Sequence, residues 1–198
     1  MNILENFRRI KAFVFDVDGV LTDHGVFVFA SGKTVRKLND KDLVALQKVI
    51  KSDLKIAIIS RAGLGGLVEI FKKMGITDIF ENTLDKKDAY LTFKYSYDLN
   101  DEHILYMGDD LPDYEAMRFA GLTACPTDAS IEIKEISQYI SRFKGGEGCV
   151  RDVIEKVLRL KKQWHSSANN AAEEKSKDNN RHKGKKNKNR NNHKNRNY

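Results

Sequence analysis

Three apolar residues of β type, Phe13-Val14-Phe15, run without a break into Asp16-Val17-Asp18-Gly19. No other stretch restricts the possible folds as much. A continuous apolar run closed by turn residues suits a strand buried on both faces, as in a parallel sheet. Open α/β sheets place ligands outside the carboxyl ends of their strands, which puts Asp16 and Asp18 on a functional edge. Side chains two apart on an extended segment point the same way, so the two carboxylates converge and need a cation. A hard divalent ion such as Mg2+, which takes oxygen ligands, meets that need. One Asp could then attack a phosphorus while the other protonates the leaving oxygen.

Strand and helix signals alternate along the rest of the chain. A helix is expected over 40–52, with Leu43, Leu46, Val49 and Ile50 at helical spacing. Asp42 sits in its first turn, where it either complements the helix dipole or meets a substrate. The strand over 55–61 ends on Ser60 and Arg61, donors suited to phosphate. A glycine-rich turn leads to a helix over 67–74, followed by a third strand over 76–80 and a helix over 85–97. That helix opens on Lys86 and Lys87 against the dipole preference, which suggests a job for one of them. A fourth strand, 104–107, ends in Gly108-Asp109-Asp110-Leu111-Pro112-Asp113. Repulsion among Asp16, Asp18, Asp109, Asp110 and Asp113 is costly without a shared metal. A fifth strand over 121–125, a helix over 130–139, a loop at 145–148 and an amphipathic helix over 150–164 complete the pattern. Such alternation implies an α/β fold, a Rossmann-like three-layer sandwich with a mostly parallel sheet and right-handed crossovers.

Between Asp23 and the first of these helices, residues 25–38 read as a β-hairpin whose arms flank Ala30-Ser31-Gly32-Lys33. A two-stranded unit is marginal alone, so it is expected to dock on another subunit or fold over the site.

The chain carries a net charge of +7, and all of it lies in the last 34 residues, since residues 1–164 hold 25 basic and 25 acidic side chains. Two regions follow: a globular domain over 1–164 and a basic, Asn- and Lys-rich tail over 165–198, expected to be disordered. The tail's runs could attract nucleic acid or acidic lipid, but aromatic residues are not interleaved with them, which favours a solvated extension. Two cysteines without metal-ligand spacing point to a reducing compartment. With neither a secretory signal nor a run long enough to span a membrane, the expected location is cytoplasmic.

Taken in order, D-V-D-G, I-I-S, a lysine and G-D-D-L-P-D resemble the haloacid dehalogenase superfamily of phosphohydrolases. The longer D-V-D-G-V-L-T-D, the hairpin where a cap domain would stand, and the closing G-G-E-G-C-V-R-D are similar to the 3-deoxy-D-manno-octulosonate 8-phosphate phosphatase family. That resemblance implies Asp16 as nucleophile and Asp18 as general acid and base. It implies Mg2+ held by Asp16, the main-chain carbonyl of Asp18 and Asp109, with Asp110 or Asp113 in support. Ser60 and Lys86 would bind phosphoryl oxygens, Lys86 being preferred to Lys87 because it follows Asp85. A capless homotetramer, acting on a phosphorylated sugar acid for lipopolysaccharide synthesis, is further implied, with Arg61 and Asp42 toward the substrate. The chain departs from the family pattern where Ser60 meets Arg61 without a glycine and where Asp42 is followed by Leu43. Both changes touch sugar selection, so a nine-carbon acid sugar 9-phosphate stands as the alternative substrate. A phosphoacceptor signalling module fits poorly, because the third strand ends in Glu81-Asn82. A scaffold or nucleic-acid-binding protein would have to work through the tail.

Overall fold

A computed structural model describes residues 2–165; nearly all of the expected disordered tail lies outside the described residues. Within residues 1–161, strands β1 (Ala12–Phe15), β4 (Lys55–Ile59), β5 (Asp78–Phe80), β6 (Ile104–Met107), β7 (Leu122–Cys125) and β8 (Tyr139–Ile140) form one sheet. Their order is β5-β4-β1-β6-β7-β8 and every pairing is parallel. The apolar run that opens the motif is thus a central strand: Phe13 pairs with Ile56 on one side and Leu105 on the other.

Helices cover both faces. On one side α1 (Ile3–Arg9), α2 (Asp40–Ile50) and α7 (Cys149–Leu160) pack together, and on the other α4 (Lys86–Ser96), α5 (Leu111–Met117) and α6 (Ile131–Ile136). Alternation explains why β1 needs both layers. Ala12 and Val14 join the core with Tyr90, Phe93, Tyr106 and Met117, while Phe13 and Phe15 stack on each other at 5.7 Å. All four are buried, and each large apolar side chain so placed contributes about 2 kcal/mol. A further helix, α3 (Gly66–Met74), is stopped by Gly75, whose φ of 99° suits the left-handed cap.

The hairpin is present: β2 (Phe27–Val28) and β3 (Thr34–Val35) pair antiparallel, Phe27 opposite Val35. Phe27, Val28 and Phe29 point to solvent, at 67%, 72% and 55% exposure.

Four features depart from the sequence expectation. The helix expected over 130–139 ends at Ile136, because Thr123 Oγ1 donates to the Ile136 carbonyl at 2.8 Å and accepts from the Gln138 N–H at 3.0 Å. That capture turns Tyr139–Ile140 into a sixth strand. The last helix stops at Leu160 rather than 164. Helices α1 and α5 were not anticipated; the first is capped by Asn2, which accepts from the Leu4 N–H at 3.1 Å, and the second carries a proline in its opening turn.

Candidate active site

Three strand ends and two helix starts supply the site. Asp16, the residue after β1, donates its N–H to the Met107 carbonyl at 3.1 Å, which ties it to the end of β6. Beyond it the chain turns tightly through Val17–Leu21, and Gly19 takes a φ of 90° that a side chain would resist. Lys86 opens α4 after Asp85, whose carboxylate caps that helix by accepting from the Lys87 N–H at 2.9 Å. The two lysines point in different directions: Lys86 Nζ stands 2.8 Å from Asp16 and 2.7 Å from Asp113. Lys87 lies over the ring of Phe119 instead.

Asp113 is the most constrained of the acids. It accepts from Lys86, from the Tyr106 hydroxyl at 2.9 Å and from the Asp109 N–H at 3.3 Å. Carboxylate oxygens of Asp16, Asp109 and Asp113 all lie within 4.8 Å of one another and all three residues are buried. Burial and then the charge of Asp113 hold the Asp16 carboxyl well above its usual range, with Lys86 offsetting part of the rise. Burial, followed by Asp113, pushes Asp109 up to about 7. For Lys86, burial alone would favour the neutral amine, but Asp113 and Asp16 outweigh it and the ammonium persists. Burial, then Asp113, keeps the Tyr106 hydroxyl protonated and a donor.

Three carboxylates therefore face one ammonium, and their ionised forms exceed it by two negative charges. Asp109 Oδ1 is buried and has no hydrogen-bond partner among the described residues. A hard divalent cation answers both observations, since it supplies the missing charge and a partner for an oxygen that water does not reach. The donor set is all oxygen, which suits Mg2+ rather than a soft metal.

Eight of the nine residues singled out in the sequence line one cavity of about 420 Å3: Asp16, Asp18, Ser60, Arg61, Lys86, Asp109, Asp110 and Asp113. Ser60 is buried, and its backbone is pinned by Phe80 and Thr83. Arg61 and Asp110 are exposed at the rim. Asp42 is the exception and requires correction. It is buried, accepts from the Arg151 N–H at 2.6 Å and so caps α7; a contact toward the substrate is not what this side chain makes. A separate cavity of about 440 Å3 beside α7 offers no comparable cluster of acids, because two of its three, Asp152 and Glu155, are paired with Lys156, Arg151 and Arg159.

Two site residues went unrecognised in the sequence. Arg36, just past β3, holds Asp18 through two hydrogen bonds of 2.6 and 3.1 Å and reaches the Gly63 carbonyl at 3.2 Å. His24 stands 3.4 Å from Asp109 Oδ2, with a positive φ of 57°. Neither carries a local signal, since a lone Arg or His acquires meaning only from what the fold places opposite it.

Known proteins resemble this chain over most of its length. Residues 67–154 match the haloacid dehalogenase-like hydrolases. The 3-deoxy-D-manno-octulosonate 8-phosphate phosphatase of Yersinia pestis is 29% identical over 157 residues, 79% of this chain and 84% of that protein. The crystal structure of the same phosphatase from Moraxella catarrhalis, in complex with magnesium ion, phosphate ion and KDO, superposes with a TM-score of 0.79. It is 30% identical, over 86% of this chain and 97% of that one. The cobalt-bound form from Haemophilus influenzae gives 0.75 at 26% identity, over 78% and 91% of the two chains.

Proposed function

The chain belongs to the haloacid dehalogenase-like hydrolases and, within them, to the 3-deoxy-D-manno-octulosonate 8-phosphate phosphatase family of phosphoric monoester hydrolases, and from that premise we propose that it hydrolyses 3-deoxy-D-manno-octulosonate 8-phosphate with Mg2+. The observation that carries the reading is the buried group of Asp16, Lys86, Asp109 and Asp113 at the carboxyl edge of the sheet, open to Asp18 across one cavity. Asp16 and Asp109, with the main-chain carbonyl of Asp18, would hold the ion. Asp113, its oxygens already taken by Lys86, Tyr106 and the Asp109 N–H, would support from behind, as would Asp110. The ion's share of the chemistry is positive charge beside the phosphoryl oxygens.

The protein's own groups then divide the work. An Asp16 oxygen attacks phosphorus as the bond to the sugar oxygen breaks, leaving an aspartyl-phosphate, and Asp18 gives its proton to the departing oxygen. In the second half Asp18 takes a proton from water, whose oxygen attacks phosphorus; phosphate leaves and the Asp16 carboxylate returns. Lys86 and Ser60 hold the phosphoryl oxygens, and Arg61 meets the sugar at the rim. Such a reaction belongs in the cytoplasm, in the supply of sugar for lipopolysaccharide. The exposed apolar hairpin supports a homotetramer in which hairpins meet.

Phosphate release from 3-deoxy-D-manno-octulosonate 8-phosphate and from a nine-carbon acid sugar 9-phosphate, with Mg2+ and with chelator, tests the proposal. Preference for the octulosonate is expected, together with loss of activity in chelator. Asp16→Asn should lower turnover by at least about a thousandfold with the fold retained. Preference for the nine-carbon sugar would keep the mechanism and change the substrate, and undiminished turnover by Asp16→Asn would remove the nucleophile.

A further inference from the structure

We propose that the loop carrying Gly145 and Gly146 is a brace that sets the position of the metal-bearing turn, with Gly145 acting as a positioning residue for Mg2+ binding. This rests on the function proposed above. The loop lies far from β1 in sequence yet packs directly on the back of the turn through Val17–Leu21. The Gly146 N–H donates to the Val20 carbonyl at 2.9 Å, and Cys149 Sγ donates to the same oxygen at 3.2 Å. The Gly146 carbonyl accepts from Asn39 Nδ2 at 3.1 Å, and the Gly145 N–H donates to Asp128 Oδ1 at 3.0 Å. The brace is therefore anchored on α2's N-cap and on the segment after β7 as well as on the turn.

Contact here is closer than any side chain permits. A Cβ on Gly145 would overlap the Gly19 carbonyl and stand 3.1 Å from its Cα, and one on Gly146 would stand 2.7 Å from the Asp23 nitrogen. Gly19 is itself wedged: a Cβ there would overlap Asp109 Oδ2 and the His24 ring. Gly145, Gly19 and Asp109 thus form an unbroken line of backbone and carboxylate contacts. A displacement of Gly19 is passed to the carboxylate whose other oxygen lacks a partner, and to Asp18 one residue away. Close-packed interiors transmit strain in this way because no void absorbs it.

Gly145 has no positive φ, so the cost of Gly145→Ala comes from the overlap of its methyl group with the Gly19 backbone. Isothermal titration calorimetry of Mg2+ into the full chain reads the effect without relying on turnover. Gly145→Ala is expected to weaken Mg2+ binding by at least about tenfold, the cost of overpacking against backbone, and raised Mg2+ should restore its turnover. Gly66→Ala, whose methyl meets nothing within 4 Å, should bind as the wild type does. Asp128→Ala, which frees the Gly145 N–H, should weaken binding in the same direction, while Asp128→Asn keeps an acceptor there and should restore it. Wild-type affinity in Gly145→Ala overturns the inference; should that variant fail to fold, wild-type affinity in Asp128→Ala does so. A wild-type chain that neither binds Mg2+ nor releases phosphate sinks the proposed function and this inference together. Wild-type binding with unaltered variants sinks the inference alone.

Discussion

At the scale of single residues, Asp42 shows how burial alone can make a carboxylate respond to pH. Burial pushes it up to about 6, and the N–H groups of Arg151 and Gly148 offset only part of that. A carboxyl whose folded pKa is raised binds its proton more tightly when folded. Its contribution is therefore greatest below about pH 4, the unfolded value, and is lost as pH rises through 6. Two pKa units correspond to about 3 kcal/mol. Asp42→Asn retains an acceptor for the Arg151 N–H and does not titrate. It should gain stability on the wild type between pH 5 and pH 8, by about 1.4 kcal/mol, in urea unfolding at the two values; an unchanged gap would show that Asp42 is ionised throughout. The same residue marks a limit of legibility. Asp16, Asp18, Lys86 and Asp109 could be read because each stands at a strand end or helix start, where parallel sheets keep their chemistry. Asp42 also stands at a helix start, but its role depends on α7, more than a hundred residues away.

Among the elements, the hairpin was legible as a hairpin that would dock on another subunit or fold over the site, but the side chain by which it reaches the site was not. Alternation and a glycine-bearing loop announce two strands, whereas nothing local says that Arg36 will reach Asp18. β8 and α5 escaped for different reasons. A two-residue strand has no period to detect, and α5 begins within the acidic cluster, so its residues were read as ligands before they could be read as a helix. The hairpin's exposed Phe27 and Val28 are the surface through which the proposed tetramer would close. Phe27→Asp places a charge where burial would cost several kcal/mol. It should shift sedimentation equilibrium from tetramer to smaller species while leaving the far-ultraviolet circular dichroism unchanged. A tetramer that survives this substitution would place the interface elsewhere.

On the scale of the whole molecule, the division into a neutral body and a basic tail was plain from charge alone. The architecture was equally plain from the alternation of elements, although strand order was not, because sequence patterns do not say which strand lies beside which. Removing residues 166–198 should leave phosphate release from the sugar phosphate unchanged, as measured by kcat/KM, since every residue assigned to the site precedes them; a large loss would give the tail a part in the reaction. Strand order has a consequence for the growing chain. β1 is made early but pairs with β4 and β6, so during synthesis the first motif waits, strand unpaired and acids uncompensated, until most of the domain has left the ribosome. Competence for metal then arrives late and all at once, and chains cut short before β6 should be sticky as well as inert.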